Sequence, residues 1–396
     1  MAFEMIEDAG SGFNSGTNIK VIGVGGGGGN AVEHMISSGV KGVEFICANT
    51  DAQALQRSTS TRFVQLGRTG LGAGGKPQVG RDAAEQAQAQ IRDMLTGAHM
   101  LFITAGMGGG TGTGAAPVVA RIAREMGILT VAVVTKPFEF EGSKRLAHAD
   151  QGLEDLEKNV DSLIVVLNEK LLEVYGDDIS QKEAFAKAND VLKNATGGIA
   201  EIINVPGLIN ADFEDVKTVM GEPGKAMMGT AVASGADRAR LAAEQAVVCP
   251  LLDGVDLSGA KGVLVNITAD DSLKLSETRE AMNAIRAYAA PDAHIIFGTV
   301  NDPGMGDALR VTVLATGLSK ARAAAKAQPQ LTVLRTGTDA APIGAPQGIG
   351  PGIEPSQIPA IWRNPRGGAP SAHVSALMQS GMEEMEIPAF LRKQAD

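Results

Sequence analysis

The first half of the chain alternates short apolar runs with longer stretches of helical periodicity. Buried strands separated by helices are typical of a parallel sheet covered on both faces. We therefore expect an α/β fold with a Rossmann-like parallel-sheet domain over residues 19–179. The strands are predicted at Ile19–Val24, Val43–Ala48, Phe63–Leu66, Met100–Thr104, Leu129–Thr135 and Ser162–Leu167, and the helices at Asn30–Ser37, Arg81–Leu95, Ala115–Met126 and Ser143–Lys158.

A long helix is predicted next, from Ser180 to Ile203, and residues 180–205 read as a connector. Its apolar positions recur at steps of three and four residues, which predicts one buried stripe. These positions are Phe185, Ala188, Leu192, Ala195, Ile199 and Ile202.

A second, smaller α/β domain is expected over residues 206–320, with Met227 and Met228 in its core. Its strands mix apolar and polar positions, as half-buried strands do. They are predicted at Gly262–Thr268, Ala293–Val300 and Leu309–Ala315, with helices at Asp237–Val248 and Ser276–Tyr288.

The two ends of the chain lack this periodicity. Residues 1–18 read as a flexible leader, and residues 321–380 as a disordered linker rich in Pro and Gly that contains Trp362. An apolar cluster then returns within residues 381–396. Apolar residues at the end of a polar tail are typical of a partner-binding peptide.

Composition excludes several classes of function. The 396 residues carry a formal net charge of −10, which disfavours binding to nucleic acid or directly to an anionic membrane. The two cysteines, Cys47 and Cys249, form no metal-binding spacing, and we expect no metal held by the protein alone. No secretory signal and no apolar run of about 20 residues is apparent, so we expect a cytoplasmic protein.

Two glycine-rich turns carry the chemistry. Each follows a predicted strand and precedes a predicted helix, which is where backbone N–H groups can bind phosphate. The first is Gly25–Asn30, and the second is Gly106–Gly114 with the hydroxyls of Thr111 and Thr113. Two such turns in one sheet indicate a ligand that is contacted along a di- or triphosphate.

Two other nucleotide motifs compete with this interpretation. Gly23, Gly25 and Gly28 fit a dinucleotide fingerprint, with Asp51 near the position of a ribose-binding carboxylate. This pattern favours a nicotinamide-dependent oxidoreductase. The second glycine turn is evidence against it, because a dinucleotide enzyme needs only the first. The segment from Gly70 to Lys76 resembles a P-loop, but Pro77 replaces the hydroxyl residue that would hold Mg²⁺.

The segment Gly108–Gly114 resembles the signature loop of the tubulin/FtsZ superfamily. Other segments are similar to the bacterial FtsZ family in particular, and the resemblance extends over about residues 19–320 and the terminal peptide. These segments are Gly25–Asn30, Asn49–Asp51, Thr135–Gly142, Asn210–Asp215 and Ile387–Lys393.

The resemblance implies a GTP/GDP site with three parts. Glu141 and Arg145 would contact the ribose and phosphate region, although their spacing alone predicts an ion pair at a helix start. Phe185, Asn189 and Asp190 would face guanine, although periodicity alone places Phe185 in the core and the other two in solvent. The phosphates would be held by Gly26, Gly27, Gly28, Gly29, Asn30, Gly108, Gly109, Gly110, Thr111, Gly112 and Thr113.

The resemblance also assigns hydrolysis to Asn210, Asp212 and Asp215. Without it, the two aspartates read as a helix N-cap followed by an acidic first turn. With it, the loop would enter the next subunit's site and orient water there. A non-hydrolysing tubulin-like scaffold remains the alternative that these carboxylates disfavour.

The function implied is a polymerisation-dependent GTPase, with Mg²⁺ accompanying the nucleotide. Its head-to-tail filaments would form the ring at the bacterial division site, at mid-cell near the inner face of the membrane. Contact with the membrane would be indirect, through Ile387–Lys393 and adaptors resembling FtsA and ZipA, with assembly regulators binding the same peptide.

Overall fold

The computed structural model describes residues 16–176, 178–205, 209–222, 225–248 and 259–318. The predicted linker with Trp362, the terminal peptide Ile387–Lys393 and most of the predicted leader lie outside these ranges.

Strands and helices alternate regularly in the first half. The strands are β1 Ile19–Val24, β2 Glu44–Asn49, β3 Arg62–Gln65, β4 Met100–Gly106, β5 Leu129–Lys136 and β6 Ser162–Leu167. The helices are α1 Gly25–Ser37, α2 Ala52–Gln56, α3 Pro77–Gln86, α4 Gln88–Leu95, α5 Thr111–Glu125, α6 Ser143–Glu157 and α7 Asn168–Tyr175.

The second half begins with the longest helix among the described residues, and its strands then no longer all pair in parallel. Its helices are α8 Gln181–Asn204, α9 Phe213–Met220, α10 Arg238–Val247 and α11 Leu275–Arg286. Its strands are β7 Lys225–Ser234, β8 Gly262–Ala269, β9 His294–Asn301 and β10 Ala308–Leu318.

The strands form one ten-stranded sheet in the order β3-β2-β1-β4-β5-β6-β7-β10-β8-β9. Strands β1 to β6 pair in parallel, and β7 continues the sheet through only two residue pairs with β6. Strand β10 lies antiparallel between β7 and β8, so the second half is a mixed sheet. The mixed α/β fold class is confirmed.

The core of the first half lies on both faces of the parallel sheet. Successive residues of one strand enter different apolar clusters: Val21 packs on the face that α1 and α8 cover, and Ile22 on the face that α3 to α6 cover. This is the alternation that a doubly covered sheet requires. Among the helices that the structure describes, none combines the length and apolar character needed to cross a bilayer.

The predicted stripe of α8 is buried from Ala188 to Ile202, and the Ser180 side chain caps the helix by accepting from the Glu183 N–H. Phe185 departs from this stripe, with 38% of its surface exposed. It lies one turn from the helix start, where α8 borders a cleft instead of the sheet.

Several predicted elements differ from the structure. The helix predicted at Arg81–Leu95 is two helices separated at Ala87. Strand β7 was not predicted, although the core assignment of Met227 and Met228 is confirmed. Most importantly, α1 begins at Gly25, directly after β1, and α5 begins at Thr111, after the short turn of residues 107–110 that follows β4, so both helices start earlier than predicted.

Candidate functional site

The two glycine-rich turns lie side by side. Strands β1 and β4 pair in register up to Val24 and Ala105, so α1 and α5 start next to each other at one edge of the sheet. Neither helix has a side chain capping its first N–H groups, and neither has an acidic residue in its first turn. Both helix N-termini therefore offer unpaired N–H groups and positive dipole ends to an anion.

A cleft of about 360 Å³ opens where these helices begin. One end is lined by the backbone of both turns, and the other by side chains of α1, α7 and α8. Among the predicted phosphate-binding residues, those that line it are Gly26, Gly27, Asn30, Gly109, Gly110, Thr111 and Gly112.

The remaining four predicted phosphate residues do not line this cleft. Gly28 lies under the Thr104 carbonyl, where a Cβ would approach to 2.3 Å, and Gly29 borders a separate pocket beside β2. Thr113 is buried, and its hydroxyl accepts a hydrogen bond of 2.8 Å from the Gly108 N–H. These residues shape the turns, and their direct contact with phosphate stays a prediction.

Thr111 is the hydroxyl residue that reaches the cleft. Its Oγ1 lies 2.7 Å from the Oγ1 of buried Thr50, a residue that follows β2. A hydroxyl has one donor and two acceptor positions, so this bond leaves Thr111 able to contact a phosphate. Thr50 thus fixes the rotamer of Thr111 from the neighbouring strand.

Glu141 and Arg145 form the ion pair that their spacing predicts, at the wall of the cleft. They form an i,i+4 ion pair at the start of α6, and both also line the cleft. The Glu141 carboxylate accepts a second hydrogen bond of 3.0 Å from the Phe138 N–H, which holds it at the cleft wall.

The predicted base end contains Phe185 and Asn189 but not Asp190. The Phe185 ring meets the edge of buried Phe138 at 5.4 Å, and Asn189 lines the cleft one turn further along α8. The Asp190 carboxylate instead accepts from His34 at 2.8 Å and from Lys193 at 3.2 Å. Burial alone would raise the pKa of Asp190, but these hydrogen bonds outweigh it and hold the pKa below its ordinary value.

Asn168 is a cleft residue that the sequence analysis missed. It is the first residue of α7, directly after β6, and only 4% of its surface is exposed. Its Oδ1 is buried without a hydrogen-bond partner, while the residue lines the cleft. A buried amide oxygen without a partner is costly, so it marks a position for a ligand donor. The signal available in sequence was an Asn at the end of a parallel strand.

Asp51 does not serve the dinucleotide interpretation. Its Oδ1 accepts hydrogen bonds from the N–H groups of Gln53 and Ala54 at 2.9 and 3.3 Å, which caps α2. The carboxylate that would bind the ribose of a nicotinamide cofactor therefore serves as a helix cap. The segment that resembles a P-loop is also held by backbone hydrogen bonds. The Gly70 carbonyl accepts from the Ala52 N–H, and the Thr50 carbonyl accepts from the Gly72 N–H.

The predicted catalytic residues lie beyond the other end of α8. The helix axis from Asn189 to Asn204 measures about 22 Å at the α-helical rise per residue. Asp212 caps α9, its Oδ1 accepting from the Asp215 N–H at 2.7 Å, and the Asn210 amide donates to the Val205 carbonyl at 3.1 Å. None of these residues is among those lining the cleft of the same chain.

The comparisons with known proteins agree with this architecture. Residues 18–176 match the Tubulin/FtsZ family, GTPase domain, and residues 224–319 match the FtsZ family, C-terminal domain. The cell division protein FtsZ of Pseudomonas putida is 52% identical over 389 residues, covering 96% of this chain and 97% of the relative.

Solved structures show the same similarity. An empty FtsZ dimer from M. jannaschii is 42% identical, with a TM-score of 0.73 over 76% of this chain and 88% of that one. A GTPγS-bound protofilament of CetZ2 from Haloferax volcanii, at 23% identity and a TM-score of 0.65 over 77% of this chain and 94% of that one, shares the fold. The chain therefore belongs to the FtsZ family, and its first half is a tubulin-like GTPase domain that binds GTP and GDP.

Proposed function

We propose that this GTPase of the FtsZ cell division family polymerises head to tail, and that each active site is shared between two subunits. The observation that carries the proposal is the separation of the cleft from Asp212 and Asp215 along α8. One chain thus has a nucleotide site at one end and a set of water-orienting groups at the other. A contact between unlike surfaces does not close on itself and gives a filament.

The cleft suits a nucleoside triphosphate. Its phosphate end combines two helix N-termini with the Thr111 hydroxyl, and Arg145, paired with Glu141, brings guanidinium donors to the wall. Phe185, Asn189 and Asn168 supply an aromatic face and amide groups for a purine base. We assign guanine contact to Asn189 in place of Asp190, because the Asp190 carboxylate is held by His34.

Mg²⁺ fits this site as a companion of the nucleotide. No group of three His, Cys, Asp or Glu among the described residues is arranged to hold an ion. Phosphate oxygens would therefore supply most of its ligands, and the bound ion would neutralise phosphate charge.

Hydrolysis would be completed by the neighbouring subunit's loop. Asp212 uses one oxygen to cap α9 and keeps the other available, and Asp215 lies in the first turn of the same helix. These carboxylates and the Asn210 amide would orient a water molecule towards the γ-phosphate, since phosphoryl transfer depends mainly on positioning and electrostatics. GTP between subunits would favour the filament, and hydrolysis would weaken it.

In the cell, we infer that the filaments form the division ring at mid-cell. The segment Ile387–Lys393 would connect them to membrane-linked adaptors resembling FtsA and ZipA. Its apolar residues and terminal cations suit a short amphipathic helix that docks into a groove.

Phosphate release measured over a range of protein concentrations tests the shared site. The rate per molecule should rise steeply with concentration, and Asp212→Ala should bind GTP normally but lose most hydrolysis. Glu214→Ala is the matched control, because Glu214 lies on the same helix turn with 73% of its side chain exposed and pairs only locally with Lys217. A rate per molecule that is independent of dilution would contradict the proposal.

A further inference from the structure

A histidine–aspartate pair joins two helices beside the base end of the cleft. The His34 Nε2 of α1 lies 2.8 Å from the Asp190 Oδ1 of α8. His34 follows Asn30 by four residues, which places both on one face of α1, and Asp190 directly follows Asn189. His34 therefore stands one helical turn behind Asn30, and Asp190 one residue behind Asn189, both of which line the cleft.

The pair is partly shielded from water, and the charged groups near its two members differ. About a quarter to a third of each side chain is exposed, at 27% for His34 and 34% for Asp190. Lys193 and Lys187 of α8 approach the same carboxylate at 3.2 and 4.0 Å. Glu33, the neighbouring acid on α1, is occupied by the hydroxyls of Ser58 and Thr59.

The position matters because the base end is built from helices α1, α7 and α8, and the pair joins the first and the last of them. Asn30 comes from α1, whereas Phe185 and Asn189 come from α8. Apolar contacts allow two packed helices to shift slightly against each other. A hydrogen bond between one side chain of each helix restricts that shift, because its distance and angle must be kept. The phosphate end is formed by the N-termini of α1 and α5, whose starts are held together by the pairing of β1 with β4 and not by α8.

We propose that His34 and Asp190 are positioning residues that clamp α1 to α8 and thereby set Asn30 and Asn189 for recognition of guanine. The inference rests on the proposed nucleotide function and adds its source of base selectivity. Loss of the clamp should weaken guanine recognition while phosphate binding remains. The clamp touches no reacting atom, so catalysis at saturating GTP should not depend on it.

Equilibrium competition against a fluorescent GTP analogue, with GTP and ATP as competitors, tests the clamp on the full chain. His34→Ala and Asp190→Ala should each weaken GTP binding about fivefold, the scale of one partly exposed charge-assisted hydrogen bond. ATP binding should change less than about twofold by the same scale. The double variant should lose no more than either single one, because both remove the same interaction.

Two controls separate the clamp from general stability. His34→Lys places a hydrogen-bond donor opposite the Asp190 carboxylate and should restore GTP affinity to within about twofold. Lys193→Ala removes a partner of the same carboxylate but leaves α1 joined to α8, and should bind GTP like the wild type. The kcat at saturating GTP should match the wild type in every variant.

Two results would overturn the clamp: His34→Ala binding GTP as tightly as the wild type, or an equal loss of ATP affinity in that variant. The assay measures binding and not assembly. The phosphate-release assay tests the proposed shared site, and this binding assay tests the clamp, so a failure of one can be told from a failure of the other.

Discussion

The two ends of α8 are built in opposite ways. At the cleft, backbone and side chains are confined: a Cβ at Gly112 would approach the Gly106 carbonyl to 2.6 Å, and the Thr113 hydroxyl is bonded and buried. At the far end, Asp212 and Asp215 lie at an exposed helix start with few contacts beyond the cap itself. Nucleotide binding is preorganised within one chain, whereas the groups for hydrolysis are presented outward. Binding and hydrolysis should therefore be separable by mutation.

The largest effect is expected from removing the buried ion pair of the second half. The Arg238 guanidinium is 5% exposed and donates to Glu277 at 2.7 Å, to the Asp307 carbonyl and to Ser272. Arg238→Ala leaves the largely shielded Glu277 carboxylate without its cation, with only the Lys274 N–H still donating to it, and should cost about 3 kcal/mol of unfolding free energy. Denaturant unfolding measures this loss, with exposed Arg240→Ala, which pairs only on the surface, as the control.

The same pair predicts a pH dependence. The hydrogen bond from Arg238 lowers the pKa of Glu277 below its ordinary value of 4.5. A carboxyl with a lowered pKa stabilises the fold above its unfolded-state pKa, and this contribution is lost as pH falls through the folded-state value. Wild-type stability should therefore drop below about pH 4.5, and the drop should be smaller in Glu277→Gln.

A smaller effect is expected where the first helix packs on its strand. At Gly28 a Cβ would meet the Thr104 carbonyl at 2.3 Å, whereas at the next position, Gly29, nothing lies within 4 Å. Gly28→Ala should destabilise the chain by about 1–3 kcal/mol and weaken GTP binding. Gly29→Ala should be neutral or stabilising, since Ala favours the helix by up to about 1 kcal/mol. Thermal unfolding that ranks the two variants equally would refute this packing account.

Next comes the hydroxyl in the cleft. Thr111→Val retains the shape but removes the group that contacts both Thr50 and the phosphate region. GTP affinity should fall by about 1–2 kcal/mol, or roughly five- to thirtyfold. Thr113→Val provides the contrast: its hydroxyl serves only the turn, so it should reduce stability more than affinity. Equilibrium dialysis with GTP gives the affinities.

The smallest effect on the GTPase is expected from the end of the chain. Removal of residues 381–396 should leave GTP hydrolysis and sedimentation of filaments within about twofold of the wild type, while binding to adaptor-coated vesicles is lost. Phe390→Ala should reproduce most of that loss, because one aromatic anchor often carries a short peptide's affinity. If the truncated chain still binds such vesicles, the tethering site lies elsewhere.

The sequence predicted the positions of the chemistry better than the direction of each side chain. The glycine runs predicted phosphate-binding turns because only glycine permits such close backbone approach. Thr111 and Thr113 looked equivalent, however, and so did Asn189 and Asp190. Each residue along a helix turns the side-chain direction by about 100°, so Asn189 and Asp190 differ by about 100° and Thr111 and Thr113 by about 200°. The packing of α5 and α8 decides which of them faces the cleft, and one sequence does not contain that information.

Two further differences have the same origin. The residues of β7 show no clear alternation of apolar and polar positions, so the strand was not predicted. What makes it a strand is its pairing with β10 and β6, which are distant in sequence. Gly110 lines the cleft, and a Cβ there would also meet Ala73 and the Lys76 N–H at 2.8 and 2.9 Å. The constraint comes from a loop that is remote in sequence, so Gly110→Ser should disrupt that contact and, through it, the cleft.

The central claim is that the cleft of one chain is completed by the acidic loop of another, and a mixing experiment tests it most directly. Asp212→Ala keeps an intact cleft, whereas Gly110→Ser keeps an intact loop; circular dichroism should first verify that both are folded. Each should be nearly inactive alone, and an equal mixture should regain phosphate release up to about a quarter of the wild-type rate, the share of random head-to-tail contacts that pair an intact cleft with an intact loop. A mixture no more active than the sum of its separate components would contradict the shared site.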